Sequence, residues 1–157
     1  IYHEARYEGY GPAGTAIIVE VLTDNKNRTS ADVRAIFNKN GGNFAETGSV
    51  TFLFEHIGAI VYPKSHLKFD NLFNISLENN ATDVLEDEEH YEVICSVEDF
   101  AHLRDALTKA FAHPLNAGLI FRAKDIVATP EGILKIINAL EDHDDVQRVF
   151  VNCNIEE

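Results

Sequence analysis

Apolar residues recur along the chain with two periods, and these periods predict its strands and helices. A β-branched run over Thr15–Leu22 is typical of a buried strand. Alternation of apolar and polar residues over Ser49–Glu55 predicts a second strand. Between the two strands, apolar residues at helical spacing predict a helix. Its expected N-cap is Thr29 and its expected stop is Gly41.

The middle of the chain predicts alternating strands and helices. Apolar residues three and four positions apart mark the clearest helix, which we expect Ser96 to cap and the pair His113-Pro114 to end. The predicted strands of this part are Ala59–Tyr62, Asp83–Leu85, Tyr91–Cys95 and Ala117–Phe121, and a further helix is predicted at Leu67–Asn79.

The last part of the chain predicts one more helix and strand. Thr129 is the expected N-cap, Pro130 fits the first helical position, and a stripe of isoleucines ends at Leu140. Val146–Val151 predicts the final strand, and Asp125–Ala128 a short one. The whole pattern predicts an α+β fold of two ferredoxin-like split βαβ domains, the second inserted into the first. The predicted boundaries are 1–57 plus 125–157 for the discontinuous domain and 58–124 for the inserted domain.

One literal motif match is rejected by its context. Gly9, Gly11 and Gly14 spell G-x-G-x-x-G, a dinucleotide-binding signature that must follow a strand and open a helix. Here a strand-like run follows the glycines, and Pro12 removes an amide that could face a phosphate. We therefore interpret Tyr7–Gly14 as a glycine-rich turn that leads into a buried strand, with glycines at positions of positive φ or close backbone approach.

Composition and charge restrict the classes of function. The chain has 157 residues, with 13 Lys and Arg against 26 Asp and Glu, and a net charge of −13. Such a field repels phosphate backbones, so this chain alone is not expected to bind nucleic acid tightly. No apolar run approaches the roughly 20 residues of a membrane helix, so no membrane partner is expected. Cys95 and Cys153 lie in apolar runs, where reduced buried thiols fit a cytoplasmic location.

The charge is unevenly distributed along the chain. Acidic runs lie at Glu86–Glu89 and Glu141–Asp145, whereas the stretch from Asp24 to Asn43 carries four basic residues against two acidic ones. Both ends of the helix predicted there are rich in Asn, Gly and basic side chains. Because the excess of positive charge is small, we favour ordinary helix-cap and turn roles for these residues. The alternative is a surface that binds RNA or protein. In that alternative the phosphate-contacting residues are Arg28, Arg34 and Lys39.

No catalytic constellation is found. His143, between two aspartates, is the best candidate metal ligand, but a solvated turn between helix and strand explains it better. Cys95 has no flanking basic residue that would activate a thiolate. We therefore expect a non-enzymatic protein with no catalytic residues, metal site, cofactor or small-molecule substrate.

Several blocks of the sequence resemble the YebC/PmpR family. The resemblance runs in order along essentially the whole chain and is weakest from Pro63 to Lys124. Ala13 stands where the family more often has a second glycine beside Gly14, which argues against a required positive φ there. The blocks that carry the resemblance are Arg6–Pro12, Leu22–Thr29, Val33-Arg34, Asn38–Asn43, Gly48–Val50, Ala139–Asp142 and Asp144–Gln147.

The resemblance implies a three-domain protein of which this chain is the second and third domains. The family's basic, helical N-terminal domain is then absent, and a chain without methionine that begins at Ile1 fits a fragment. The resemblance also implies a non-enzymatic role in gene expression. Family members are described as DNA-binding transcriptional regulators, mitochondrial relatives as translational activators, and bacterial members are tied to ribosomes stalled on proline-rich stretches.

Charge favours translation among these roles, with the ribosome or its rRNA as partner. No helix rich in basic residues is visible that could read DNA, although promoter DNA bound through the missing domain is the second interpretation. An acidic protein-interaction module is the third. The residues expected to contact nucleic acid or the ribosome are Tyr7, Tyr10, Asn25, Lys26, Asn27, Arg28, Arg34, Lys39, Asn40 and Asn43.

Overall fold

The computed structural model describes residues 1–155, which form four helices and two four-stranded sheets. The chain divides into two compact units, unit 1 of Ile1–Glu55 with Phe121–Glu157 and unit 2 of His56–Ile120. The predicted α+β class is confirmed. In chain order the elements are β1 His3–Tyr10, β2 Ala16–Thr23, α1 Lys26–Lys39, β3 Asn43–Ala45, β4 Phe54–Pro63, α2 Phe69–Glu78, β5 Asp83–Glu86, β6 His90–Cys95, α3 Phe100–Phe111, β7 Asn116–Ala123, α4 Ile133–Glu141 and β8 Val146–Val151.

The sheet of unit 1 has the strand order β3-β1-β2-β8, and every neighbouring pair is antiparallel. Helix α1 packs on β1 and β3, and α4 packs on β8. Strand β2 is buried on both faces: Ile17 and Val19 belong to the core under the helices, and Ala16 and Ile18 to a second apolar cluster. Burial on both faces explains why the sequence of β2 is apolar throughout instead of alternating.

Unit 2 follows the order β-α-β-β-α-β, which is the order of the split βαβ motif, with the strand order β5-β6-β4-β7. Alternate residues of β4 and β6, such as Ile60 and Val93, point into a core completed by the helices. Leu72 of α2 and Leu103 of α3 are fully buried there. No helix among the described residues combines the length and the apolar character that a membrane crossing requires.

Two predictions about strands were wrong. The first half of the predicted glycine-rich turn belongs to β1, which continues to Tyr10, and the chain turns over residues 11–15. Much of β1 is polar, and its strand state depends on pairing with β2 and β3 rather than on its own pattern. The predicted strand Ser49–Glu55 is mostly a turn with a short 3-10 segment at Thr51–Leu53. Phe52 is 65% exposed, so the alternation does not reflect a buried face.

Three predicted helix caps were also wrong, and a predicted short strand is reduced to one bridge. Asn25 caps α1, while the Thr29 hydroxyl lies inside the helix. Gly132 precedes α4, and the Thr129 hydroxyl donates instead to the carbonyl of Asn154 at 2.7 Å. The Ser96 hydroxyl accepts from the amide of residue 99 in a turn before α3 rather than inside its first turn. Asp125–Ala128 contributes one parallel bridge, from residue 127 to residue 153.

The turn between β1 and β2 contradicts the expectation drawn from Ala13. Its φ is 58°, in the left-handed region, and that of Gly14 is 75°. A non-glycine residue in this region is held under strain because its Cβ crowds the following carbonyl. The turn survives because the amide of Gly11 donates to the carbonyl of Thr15 at 2.7 Å and the hydrogen-bonded strands hold both ends.

We expect Ala13→Gly to stabilise the protein by about 0.5 kcal/mol. Relief of the left-handed strain, roughly 1–2 kcal/mol, outweighs the additional backbone entropy of an unfolded glycine, roughly 0.5–1 kcal/mol. Urea denaturation of the two chains measures the difference. A less stable glycine variant would show that the left-handed conformation costs the alanine nothing.

Candidate nucleic-acid interface

Helix α1 is held at both ends by amide side chains. The Asn25 side-chain oxygen accepts from the amide of Arg28 at 3.1 Å, which satisfies one of the free N–H groups of the first turn. At the other end, Asn40 Nδ2 donates to the carbonyl of Ile36 at 2.8 Å. The buried stripe of the helix includes Val33 and Phe37, both with no exposed surface. The helix is about 20 Å long and presents one face outward.

The outward face of α1 is polar and cationic. A helix turns about 100° per residue, which places seven exposed residues on the side opposite the buried stripe. Three of these residues are basic and none is acidic. Two alanines lie at the centre, where their short side chains leave the helix surface open to close approach. The seven residues, which we call the α1 face, are Asn27, Arg28, Ala31, Arg34, Ala35, Asn38 and Lys39.

The charge of Arg28 is already paired within unit 1. Its guanidinium lies 3.1 Å from carboxylate oxygens of both Asp24 and Asp145. The hydrogen bond to Asp145, followed by the one to Asp24, raises the pKa of Arg28. Asp145 also accepts from the Thr29 hydroxyl at 2.7 Å, a bond that lowers the pKa of this carboxyl together with Arg28. A phosphate would have to compete with both carboxylates for Arg28.

Arg34 and Lys39 carry the available positive charge of the α1 face. Neither has a carboxylate at ion-pair distance among residues 1–155, and the same holds for Lys26 in the first turn. The Arg34 guanidinium lies over the ring of Phe44, 4.6 Å from its centroid. This contact restrains the side chain and leaves its N–H groups directed to solvent, which suits a phosphate or base contact.

A groove of about 540 Å³ lies beside the α1 face. Tyr7 and Phe44 line it with rings whose centroids are 5.7 Å apart, Ser30 and Arg34 line the helix side, and Thr47 lies in the loop that closes it. The Tyr7 hydroxyl donates to the carbonyl of residue 26 at 3.4 Å, and burial raises the pKa of this phenol. Aromatic and guanidinium groups side by side are the groups on which unpaired bases stack.

The structure separates the ten predicted contact residues. Tyr7 and Tyr10 lie on opposite faces of the sheet, because they are three residues apart in one strand and pack in different apolar clusters. Tyr10 is therefore remote from the α1 face. The side chains of Asn25 and Asn40 serve as caps. Five of the ten residues have exposed side chains that neither cap a helix nor form a described ion pair: Lys26, Asn27, Arg34, Lys39 and Asn43.

His143 lies in the predicted turn between a helix and a strand, α4 and β8, but its side chain is not solvated. Its side chain is 18% exposed and its Nε2 lies 2.9 Å from a carboxylate oxygen of Asp32 on α1. Nδ1 accepts from the amide of Asp145 at 3.1 Å, so in the neutral ring Nε2 carries the proton and donates to Asp32. The turn before β8 is thereby attached to α1. Only the two flanking aspartates in the sequence hinted at a polar network.

Glu8 is a second residue whose role the sequence did not reveal. Its side chain is 1% exposed, and its two oxygens accept from the backbone amides of Gly48, Val50 and Thr51 at 2.6, 2.9 and 3.0 Å. Burial opposes ionisation of this carboxyl, but the three amides outweigh burial and lower its pKa. Glu8 thus orders the loop that closes the groove.

The described residues contain no group of three His, Cys, Asp or Glu side chains arranged to hold a metal ion. Both cysteines are buried and unpaired, and burial raises the pKa of each thiol. The α1 face presents cationic and amide groups, and aromatic rings line the groove beside it.

The family model described as TACO1/YebC second and third domain matches residues 2–153. The chain therefore belongs to the TACO1/YebC family, a family of regulators, and the resemblance to its second and third domains is confirmed.

A solved structure shows the same fold. The chain is similar to the crystal structure of a conserved hypothetical protein from Aquifex aeolicus, with 34% sequence identity and a TM-score of 0.82. The match covers 99% of this chain and 66% of that protein, so the chain spans just under two thirds of its relative.

Proposed function

We propose that this chain acts in translation in the cytoplasm and contacts ribosomal RNA through the α1 face. The observation that carries the proposal is the composition of that face. In a chain of net charge −13, it has three cations, two amides, two alanines and no carboxylate. Long-range attraction to RNA is weak for such a chain, so binding depends on close contact at this face.

Several contacts support RNA rather than duplex DNA as the ligand. Arg34 and Phe44 border an open groove lined by Tyr7, an arrangement that suits the unpaired bases of folded RNA. The carboxylates of Glu8 and Glu46 also line the groove, so backbone phosphates are expected on the α1 face instead. A duplex reader inserts a helix rich in basic side chains into the major groove, and α1 offers only two unpaired cations on its outward face. Promoter DNA is the second candidate, because members of the family to which this chain belongs are described as DNA-binding transcriptional regulators.

We also infer that units 1 and 2 are separate domains, the second inserted into the first, and that unit 2 is ferredoxin-like. The prediction of a ferredoxin-like unit 1 does not fit its element order, β-β-α-β-α-β, because β1 and β2 form a hairpin with no helix between them. The proposed domain boundaries, 1–57 plus 125–157 and 58–124, lie within a few residues of the limits of the two units. Separate apolar cores support this division, because each unit buries its own cluster of large side chains.

Charge reversal on the α1 face tests the RNA proposal. We expect Arg34→Glu with Lys39→Glu to weaken co-sedimentation with ribosomes about tenfold or more and to flatten its salt dependence, because two phosphate contacts are lost. Arg28 is left unchanged, since its replacement would break the ion pairs with Asp24 and Asp145. Binding is measured across a salt series.

The matched control reverses two exposed lysines elsewhere, Lys109→Glu with Lys135→Glu, which produces the same change in net charge. This variant should bind ribosomes like the parent chain. Equal losses of ribosome binding in both variants would show that only net charge matters. Unchanged binding in both would exclude the α1 face as the contact surface. Binding to promoter DNA that is lost only in the α1-face variant would establish the transcriptional alternative.

A further inference from the structure

Unit 2 has an open groove on the sheet face that is turned away from its helices. The register places Leu85 of β5, Glu92 of β6 and Val61 of β4 side by side across three strands. Directly opposed residues share a face, and the neighbours Ile60 and Val93 point the other way, into the core of unit 2. The groove has a volume of about 430 Å³.

Three apolar residues line this groove on either side of Glu92, and two of them are exposed. Leu85 is 43% exposed and Leu115, which precedes β7, is 63% exposed. Both line the groove together with half-buried Val61. The position of Leu115 is set by the backbone, because its amide donates to the carbonyl of Val61 at 2.8 Å. Leucines held in this way on an open face mark a surface suited to an apolar side chain of a partner.

The rim of the groove is strongly acidic. The eleven residues from Thr82 to Glu92 contain six carboxylates and no lysine or arginine. Asp87 accepts from the amides of Glu89 and His90 at 2.9 and 2.7 Å, bonds that lower the pKa of its carboxyl and hold the turn in shape. Lys64 compensates part of this charge through an ion pair with Glu86 at 2.9 Å.

We propose that this groove binds a basic peptide segment of a partner protein, one that carries leucine-like side chains between lysines or arginines. The three apolar residues accept the leucine-like side chains, and the acidic rim attracts the cations. The same charge opposes nucleic acid, and it opposes a second copy of this chain, because two acidic rims would face each other. The groove lies in unit 2, so this inference does not depend on the α1 face.

The test uses the whole chain and a labelled synthetic peptide of lysine and leucine, with binding followed by fluorescence polarisation. Two further peptides replace every leucine by serine or every lysine by glutamate. Leu85→Ser with Leu115→Ser removes the two exposed apolar residues, and Glu88→Gln with Glu89→Gln neutralises part of the rim. Both glutamates are exposed turn residues, and their side chains support no described hydrogen bond. Far-ultraviolet circular dichroism verifies that each variant is folded.

We expect the lysine–leucine peptide to bind, and the leucine variant to bind it about tenfold more weakly, because about 1.4 kcal/mol of apolar contact is lost. The rim variant should lose several-fold in affinity and depend less on salt. The control Glu78→Gln with Glu98→Gln removes the same charge at two exposed sites outside the groove, one at the end of α2 and one in the turn before α3, and should bind normally.

Three results would overturn the proposal. If the serine peptide bound as tightly as the leucine peptide, charge attraction alone would explain the binding, and the leucines would not dock in the groove. An equal loss in the control variant would place the binding outside the groove. A concentration-dependent dimer seen by analytical ultracentrifugation, and abolished by the leucine variant, would make a second copy the occupant.

Discussion

Replacing Glu8 with alanine is expected to destabilise unit 1 by about 3 kcal/mol or more. The substitution removes a buried carboxylate that accepts from the amides of Gly48, Val50 and Thr51. Hydrogen bonds to a charged group each contribute roughly 1.5–3 kcal/mol, and a donor left unsatisfied away from water has a further cost. Urea denaturation at neutral pH measures the loss, and increased amide exchange at residues 48–51 should accompany it.

Glu8→Gln and a pH series separate the charge from the shape of the side chain. Glutamine can still accept from Val50 and Thr51, but its NH₂ group then faces the amide of Gly48, so a loss of about 1–2 kcal/mol is expected. Because the folded pKa of Glu8 is lowered, its stabilising contribution is complete above the unfolded value of 4.5 and disappears as pH falls through the folded pKa. The glutamine variant should lack this part of the acid sensitivity. Identical pH profiles would contradict a structural role for the charge.

Gly42→Ala is expected to cost about 3 kcal/mol or more. A Cβ at this position would overlap the carbonyl oxygen of Tyr10 and would lie 3.2 Å from Ile136 Cδ1. The first neighbour is backbone of β1 and cannot rotate away, so β3 must move from the sheet or α1 must shift. The amide of Gly42 also donates to the carbonyl of Phe37 at 2.9 Å, and this bond would weaken.

The neighbouring Gly41 is the matched control. It has a φ of 79°, and a Cβ there would meet no atom within 4 Å. Gly41→Ala is therefore expected to lower the free energy of unfolding only through strain of the left-handed backbone, by about 1 kcal/mol. Thermal and urea denaturation of both variants compare steric crowding with backbone strain at adjacent positions. Similar losses in the two would contradict the close approach of β3 and β1.

Local patterns were sufficient for the elements that bury a continuous apolar stripe. The stripe of α4, which includes Ile136 and Leu140, and the β-branched run of β2 were predicted because each carries its period within a few residues. Strand β1 was missed because it is rich in polar and charged residues, and its strand state is imposed by partners on both sides. The caps were misplaced because residues with capping hydroxyls lie near each helix start, whereas the folded backbone begins α1 after Asn25 and α4 after Gly132.

The candidate site was predicted as a region but not as an arrangement. Asn, Gly and basic residues at both ends of α1 indicated the region, and the helical period placed Arg34 and Lys39 on its outward side. The pairing of Arg28 with Asp145 joins positions 117 residues apart. No spacing rule links two residues so far apart, so the available charge of the surface could be assigned only from the folded chain.

The sequence by itself determined the α+β class, the buried helix stripes, the family and the acidic character of this protein. These properties depend on local periodicity, on summed charge and on motifs read in order. Only the tertiary structure decided which cations remain unpaired, that Glu8 orders a loop 40 residues away, and that Leu85 and Leu115 share one groove. Each of these depends on contacts between distant parts of the chain, which form when strands pair and cores close, and no local pattern encodes such contacts.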